Sequence, residues 1–170
     1  SSDLGEYHFQ RGRPDRTRFR WAGGKRFGYR HWRKGLRPVK HGRRWVFEAR
    51  ARPGRGYGSF RRYLRHMFIW TGTLHLMGEP RVRTPAKVRI GDFFIQGGSP
   101  GHAVMVLDLA RSAEGRTVAL LGQGFMPAQD LHVLRAHSRK AWFELDPGQK
   151  QIQTPLWRPF TYKDLRRFRY

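Results

Sequence analysis

The sequence predicts an α+β domain, a small antiparallel sheet or half-barrel with one helix packed on it. Two stretches carry that expectation. Residues 91–135, GDFFIQGGSPGHAVMVLDLARSAEGRTVALLGQGFMPAQDLHVLR, hold the longest apolar runs and read as strands separated by tight glycine turns. Residues 59–76 place apolar side chains three and four apart, the period of a helix with one buried stripe. A chain of 170 residues fits one domain. It divides into a basic approach (1–58), the helix with the core sheet (59–135) and a closing segment (136–170).

The approach is rich in Arg, Gly and aromatic residues and has no sustained helical period. Tyr7-His8-Phe9 and Trp45-Val46-Phe47 are its best strand candidates, and Ala22-Gly23-Gly24-Lys25 and Arg52-Pro53-Gly54-Arg55-Gly56 read as turns. In the helix, Phe60, Tyr63, Leu64, Met67, Phe68 and Thr71 form the stripe, with Arg61, Arg62 and Arg65 on the opposite face. Ser59 is its expected N-cap.

The core opens with a Gly91-Asp92 turn, where Asp92 is expected to cap backbone amides, and a strand over 90–96. Gly97-Gly98-Ser99-Pro100-Gly101 predicts a tight loop that uses positive φ. Residues 102–110 form a nearly continuous apolar run, expected to be covered on both faces. A hairpin turn over 112–116 leads to partner strand 117–122, and a loop over 125–130 leads to strand 131–135. Trp142-Phe143 forms a further strand. Thr161-Tyr162-Lys163-Asp164 predicts a capped helix ending in Arg166, Arg167 and Arg169.

The chain has no cysteine, which excludes disulfides, Cys-ligated zinc and a Cys nucleophile. No run approaches the ~20 apolar residues of a membrane-spanning helix. The absence of an initial Met implies a processed or excised chain. The net charge of +23 is concentrated early: residues 1–66 carry 20 Lys+Arg against 4 Asp+Glu. Such a field attracts polyanions. Arginine excess also follows genome base composition, so both origins stay open. Candidate polyanion contacts are Arg18, Arg20, Arg30, Arg33, Arg43, Arg44, Arg61 and Arg62, with interleaved Phe19, Trp21, Phe27, Tyr29, Trp32 and Trp45 either as stacking platforms or as core.

Site candidates lie in the core. His102 follows the glycine loop, and an amide oxygen from Gln123 or Gln129 would orient it as a general base; alternatively loop carbonyls satisfy it. Period-two alternation places Asp108 on the same face as His102. Ser59 at a helix start is either a nucleophile candidate or an ordinary cap. His102, Asp130 and His132 could supply metal ligands, but their spacing matches no recognised pattern, so neither a metal centre nor a cofactor is expected.

The run GDFFIQGGSPGHAVMVLDLA, then LLGQGFMPAQDLHVL, then TPLW resembles a bacterial family catalogued as domain of unknown function 4846, over most of the chain. That resemblance implies an envelope-directed protein, and that this chain is the C-terminal part of a longer member or a shortened one. The order helix, Gly-Asp turn, strand, His-led strand and a third polar residue is also similar to NlpC/P60-type cysteine peptidases and amidases. That likeness implies an NlpC/P60-like fold, His102 as base, Gln123 as its orienting partner, and the nucleophile at the helix start. Here Ser59 stands where those enzymes carry Cys, and serine is a poorer attacker at neutral pH. The expectation is a hydrolase-like domain with a vestigial or incomplete site for peptide or cell-wall-like substrates. The alternative is a basic module for nucleic acid or another polyanion.

Overall fold

The computed structural model describes residues 8–20, 24–125 and 129–169. Tyr7, Trp21, Ala22, Gly23 and the middle of the expected 125–130 loop lie outside the described residues. Helices and antiparallel strands alternate, giving the α+β class, in two compact units that meet in sequence at Leu76/Met77.

In the first unit, β1 (Arg18–Arg20) pairs with β2 (Arg26–Gly28), and β3 (Leu36–His41) with β4 (Arg44–Ala49). Trp45-Val46-Phe47 lies in β4, as read from the sequence. Residues 8–10 are helical, not extended. A helical turn, Tyr29–Trp32, follows β2. The long helix runs Tyr57–Trp70 and a short one Thr73–Leu76, so the 59–76 segment is broken at Thr71-Gly72.

The N-cap of the long helix is Gly56, at φ 83°, and Ser59 is its third residue. The Ser59 hydroxyl is buried and donates to the Gly54 carbonyl at 3.1 Å, tying the incoming chain to the first turn. The buried stripe is Phe60, Tyr63, Leu64 and Met67, each worth about 1.5–3 kcal/mol when fully buried. Phe68 is 50 % exposed and is not part of it. Tyr63 is the centre of this unit. Its hydroxyl donates to the Thr17 and Phe27 carbonyls at 3.1 and 2.9 Å, and burial pushes its pKa well up. Phe19, Phe27, Tyr29, Trp32 and Phe60 surround its ring at centroid distances of 5.8–6.4 Å. These early aromatics are therefore core.

The second unit is one antiparallel sheet in the order β10-β5-β6-β7-β8, with β9 pairing the first half of β7. Its strands are β5 (Phe93–Gln96), β6 (His102–Arg111), β7 (Thr117–Phe125), β8 (Gln129–Val133), β9 (Trp142–Glu144) and β10 (Leu165–Arg166). One face carries the core: Phe94, Val104, Val106, Ala119, Leu121 and Phe143 pack with Val88, Ile152, Phe160 and Leu165. β6 is not covered on both faces. His102, Val104 and Val106 are buried while Ala103, Met105 and Leu107 are half-exposed, so its apolar run reflects an apolar outer face. Gly98 takes φ 147° in the loop before β6, as the glycine-rich sequence requires.

Asp92 caps the Arg89 amide at 2.9 Å and also receives two bonds at 2.7 Å from Arg167. The expected terminal helix is only the 3-10 turn Tyr162–Asp164, with a capping box from Thr161 to Asp164. The chain then extends into β10, pairing Leu165 with Phe94. Burial of Leu165 in the core and pairing at the sheet edge outweigh a helix too short to propagate. Among the described residues no helix is long and apolar enough to cross a membrane.

Candidate functional site

β6 and β7 are adjacent, and their pairing carries His102 and Gln123 to one end of the buried face. His102 Nε2 lies 2.7 Å from Gln123 Oε1, with His102 7 % and Gln123 1 % exposed. An amide oxygen only accepts, so in this pair Nε2 is the donor. The structure thus brings together two of the three sequence candidates. Gln123 Nε2 is buried without an acceptor among the described residues, so the amide keeps unused donor capacity.

The His102 ring is covered by Trp157, at a centroid distance of 4.9 Å, with Phe160 at 6.3 Å. Trp157 belongs to a strap pinned at its base, where Ile152 and Phe160 exchange backbone hydrogen bonds of 2.7 and 3.0 Å. Gln96, at the end of β5, fixes the strap from below. Its Oε1 accepts from Trp157 Nε1 at 3.0 Å and from Arg158 Nε, and its Nε2 donates to the Pro159 carbonyl at 2.9 Å. Leu156 at the strap's tip is 69 % exposed and holds φ 63°, a left-handed conformation that side chains with a Cβ rarely adopt. Between this tip and the Gly97–Pro100 loop lies an open cleft of about 700 Å³, lined also by Trp157 and Arg158. That size suits a small ligand or a peptide segment.

Trp157 and Gln96 escaped the sequence reading of the site. The available signal was the TPLW run and the Gln that precedes the glycine loop, but nothing in their spacing pairs residues so far apart in sequence.

Ser59 lies in the first unit, while His102 and Gln123 lie in the second. Its hydroxyl serves the helix start there. Asp108 is exposed and does not share the face of His102. A bulge between Val106 and Asp108 inserts Leu107 without a partner and reverses the alternation, and Asp108 turns to accept from the Leu109 amide at 2.8 Å. His132 sits directly opposite Gln123 on β8, and its Nδ1 donates to the Asp130 carbonyl at 2.9 Å. Among the described residues no three His, Cys, Asp or Glu side chains gather as a metal site. The side chain of Gln129 is not described.

All eight candidate polyanion arginines lie in the first unit. Arg18 and Arg20 flank buried Phe19 on β1, and Arg30 is exposed on the helical turn that follows β2, next to Arg33. Arg43 and Arg44 are exposed at the β3–β4 turn, and Arg61 and Arg62 on the long helix. Arg33 is paired with Asp15 at 2.6 Å, and Arg20 Nη1 donates to the Gly24 carbonyl at 3.1 Å.

The family described as domain of unknown function (4846) matches residues 4–167. No curated protein and no solved structure matches the chain.

Proposed function

This chain belongs to the domain of unknown function 4846 family, and we propose that its second unit is a hydrolase-like, peptidase- or amidase-type module that holds peptide or cell-wall-like ligands at His102. The observation that carries the reading is the buried His102–Gln123 pair at 2.7 Å, covered by Trp157, which itself lines the cleft. Orienting an imidazole with a buried amide is an arrangement for using the ring. The order of elements, Gly-Asp turn, strand, His-led strand and polar third residue, supports an ancestry like that of NlpC/P60 enzymes. The nucleophile of such enzymes has no counterpart at Ser59, whose hydroxyl is committed to Gly54. The module therefore binds and orients, and its covalent chemistry is vestigial.

The test uses the full chain labelled with nitrogen-15 and a set of muropeptides as probes. The His102 ring and the Trp157 indole resonances should shift together on addition, and His102→Gln should abolish the response while the fold persists. If no muropeptide perturbs either group in a folded protein, the reading fails.

A further inference from the structure

A second recess, in the first unit, has no connection with the His102 reading. Arg16 ends the 3-10 turn Pro14–Arg16, Arg18 starts β1, and Arg30 lies on the helical turn after β2. Together with Asp15 these side chains line a concavity of about 380 Å³. The register makes room for it. Arg18 stands opposite Gly28, where a Cβ would come within 3.1 Å of the Arg18 Cβ and 3.3 Å of the Thr17 carbonyl.

Among the described residues none of these three guanidiniums is paired with a carboxylate. Asp15 is the one acid lining the recess, and its Oδ2 is held by Arg33 at 2.6 Å. Two buried atoms lack partners among the described residues. Arg18 Nε has no acceptor, and Asp15 Oδ1 has no donor. Gathering like charges around one hollow opposes folding and favours an anion there; Arg18 Nε and Asp15 Oδ1 have almost no exposed surface, so such a ligand would meet them as these two side chains turn toward it.

We propose that this recess binds a protonated phosphate group, either free phosphate or the end of a phosphomonoester. Phosphate oxygens accept from arginine in the forked geometry that guanidinium favours. The remaining P–OH donates to Asp15 Oδ1. Sulfate has the same shape but no proton near neutral pH, so it would present a bare oxygen to the carboxylate. The hollow is compact and holds one carboxylate, which fits a single phosphate better than the extended backbone of a nucleic acid.

The experiment is a titration of the full chain with sodium phosphate and with sodium sulfate at pH 7 and matched ionic strength, followed by calorimetry. Phosphate should bind on the order of tenfold or more tighter than sulfate, the value of one charge-assisted hydrogen bond. Asp15→Asn offers sulfate an amide donor and should bring the two within about threefold. Arg18→Gln and the exposed Arg30→Gln should each weaken phosphate by roughly tenfold, with thermal unfolding confirming that the variants fold. Glycerol phosphate separates the two sources. If esters are bound, its affinity should rise as pH falls from 8 to 6, because the second ionisation of a phosphomonoester lies near about 6. If it fails to bind while inorganic phosphate does, the ligand is free phosphate. Equal binding of phosphate and sulfate overturns the proposal. So does an unchanged phosphate affinity in folded Arg30→Gln. An oligonucleotide that binds steeply with salt, where phosphate itself does not bind, would replace the recess by a diffuse polyanion surface.

Discussion

Replacing Asp92 by alanine removes three hydrogen bonds from a carboxylate that is 1 % exposed: one from the Arg89 amide and two from Arg167. Breaking a fully buried ion pair costs about 3–5 kcal/mol, because the surviving charge is stranded. Here the survivor, Arg167, has a side chain 31 % exposed and keeps a 2.7 Å bond to the Lys87 carbonyl. Its charge reaches water, so Asp92→Ala should cost about 2–4 kcal/mol, shifted below the fully buried range. For a small domain that lowers Tm by roughly 10–30 °C. The reverse removal is harsher. Arg167→Met leaves the carboxylate buried with only a backbone donor, and should destabilise at least as much as Asp92→Ala. The double variant removes both charges and should fall short of the sum of the singles by about 1–3 kcal/mol. Urea unfolding followed by tryptophan fluorescence measures all three. A cost below ~1 kcal/mol for Asp92→Ala, or strictly additive singles, would refute the reasoning that Asp92 and Arg167 act as a coupled, buried ion pair.

Two further tests concern backbone strain at glycine and the charge state of histidines in the first unit. Gly35 holds φ 83°, and a Cβ there would stand 2.1 Å from the Ala51 carbonyl oxygen, whereas Gly115 at φ 81° has nothing within 4 Å. Gly35→Ala should therefore cost clearly more than Gly115→Ala, whose cost is the left-handed backbone alone at about 1–2 kcal/mol; equal melting temperatures would show that the clash relaxes freely. His8, His31 and His66 all have lowered pKa values, first through burial and then through neighbouring charges: Arg16 and Arg13, Arg30 and Lys34, and Arg37 respectively. A histidine depressed in the folded state gives stability that is present above its unfolded value of about 6.5 and lost as pH falls below it. The urea midpoint of this unit should fall from pH 7.5 to pH 5, and His66→Gln should flatten the fall; a midpoint that rises on acidification contradicts the assignment.

Much of the second unit was legible because its signals are local. Alternation, glycine turns and the 112–116 hairpin place β5, β6 and β7 close to their observed positions, and the pairing of His102 with Gln123 follows from two neighbouring strands. What escaped depends on particulars that no periodicity records. One inserted residue, Leu107, moves Asp108 off the face of His102. The end of the chain reads as a helix from its capping box, yet two residues of sheet pairing and a buried Leu165 decide otherwise. Ser59 has the residue type of an N-cap, but Gly56 takes that position because the chain enters at positive φ, which glycine adopts at no steric cost. The strap over His102 joins residues about sixty positions apart, Gln96 to Trp157 and Arg158, through side-chain bonds alone.

The arginine excess raised two readings in the sequence, a polyanion partner or base composition. The fold adds a third. Arg37 lies 3.4 Å over the Trp32 ring and donates to the Trp32 and Leu36 carbonyls. Arg111 donates to the Ala86 and Val88 carbonyls, Arg166 to Met77, and Arg167 to Asp92. Arg37 and Arg111 each serve two carbonyls from one terminal nitrogen, whereas Arg166 and Arg167 spread their bonds over two nitrogens of the planar fork, a geometry a lysine ammonium could not match. These arginines are architecture: Arg37, Arg111 and Arg166 serve carbonyls at loops and strand ends, and Arg167 pairs with a buried carboxylate. Arg16, Arg18 and Arg30 differ, since they meet around one hollow and none of them is paired with a carboxylate among the described residues. The bulk charge of +23 therefore does not by itself locate a ligand site. A steep salt dependence would arise from that bulk field whatever the ligand. Discrimination between phosphate and sulfate would not, because a diffuse field cannot tell two anions of one shape apart. Selectivity is thus the observable that separates a built site from a charged surface.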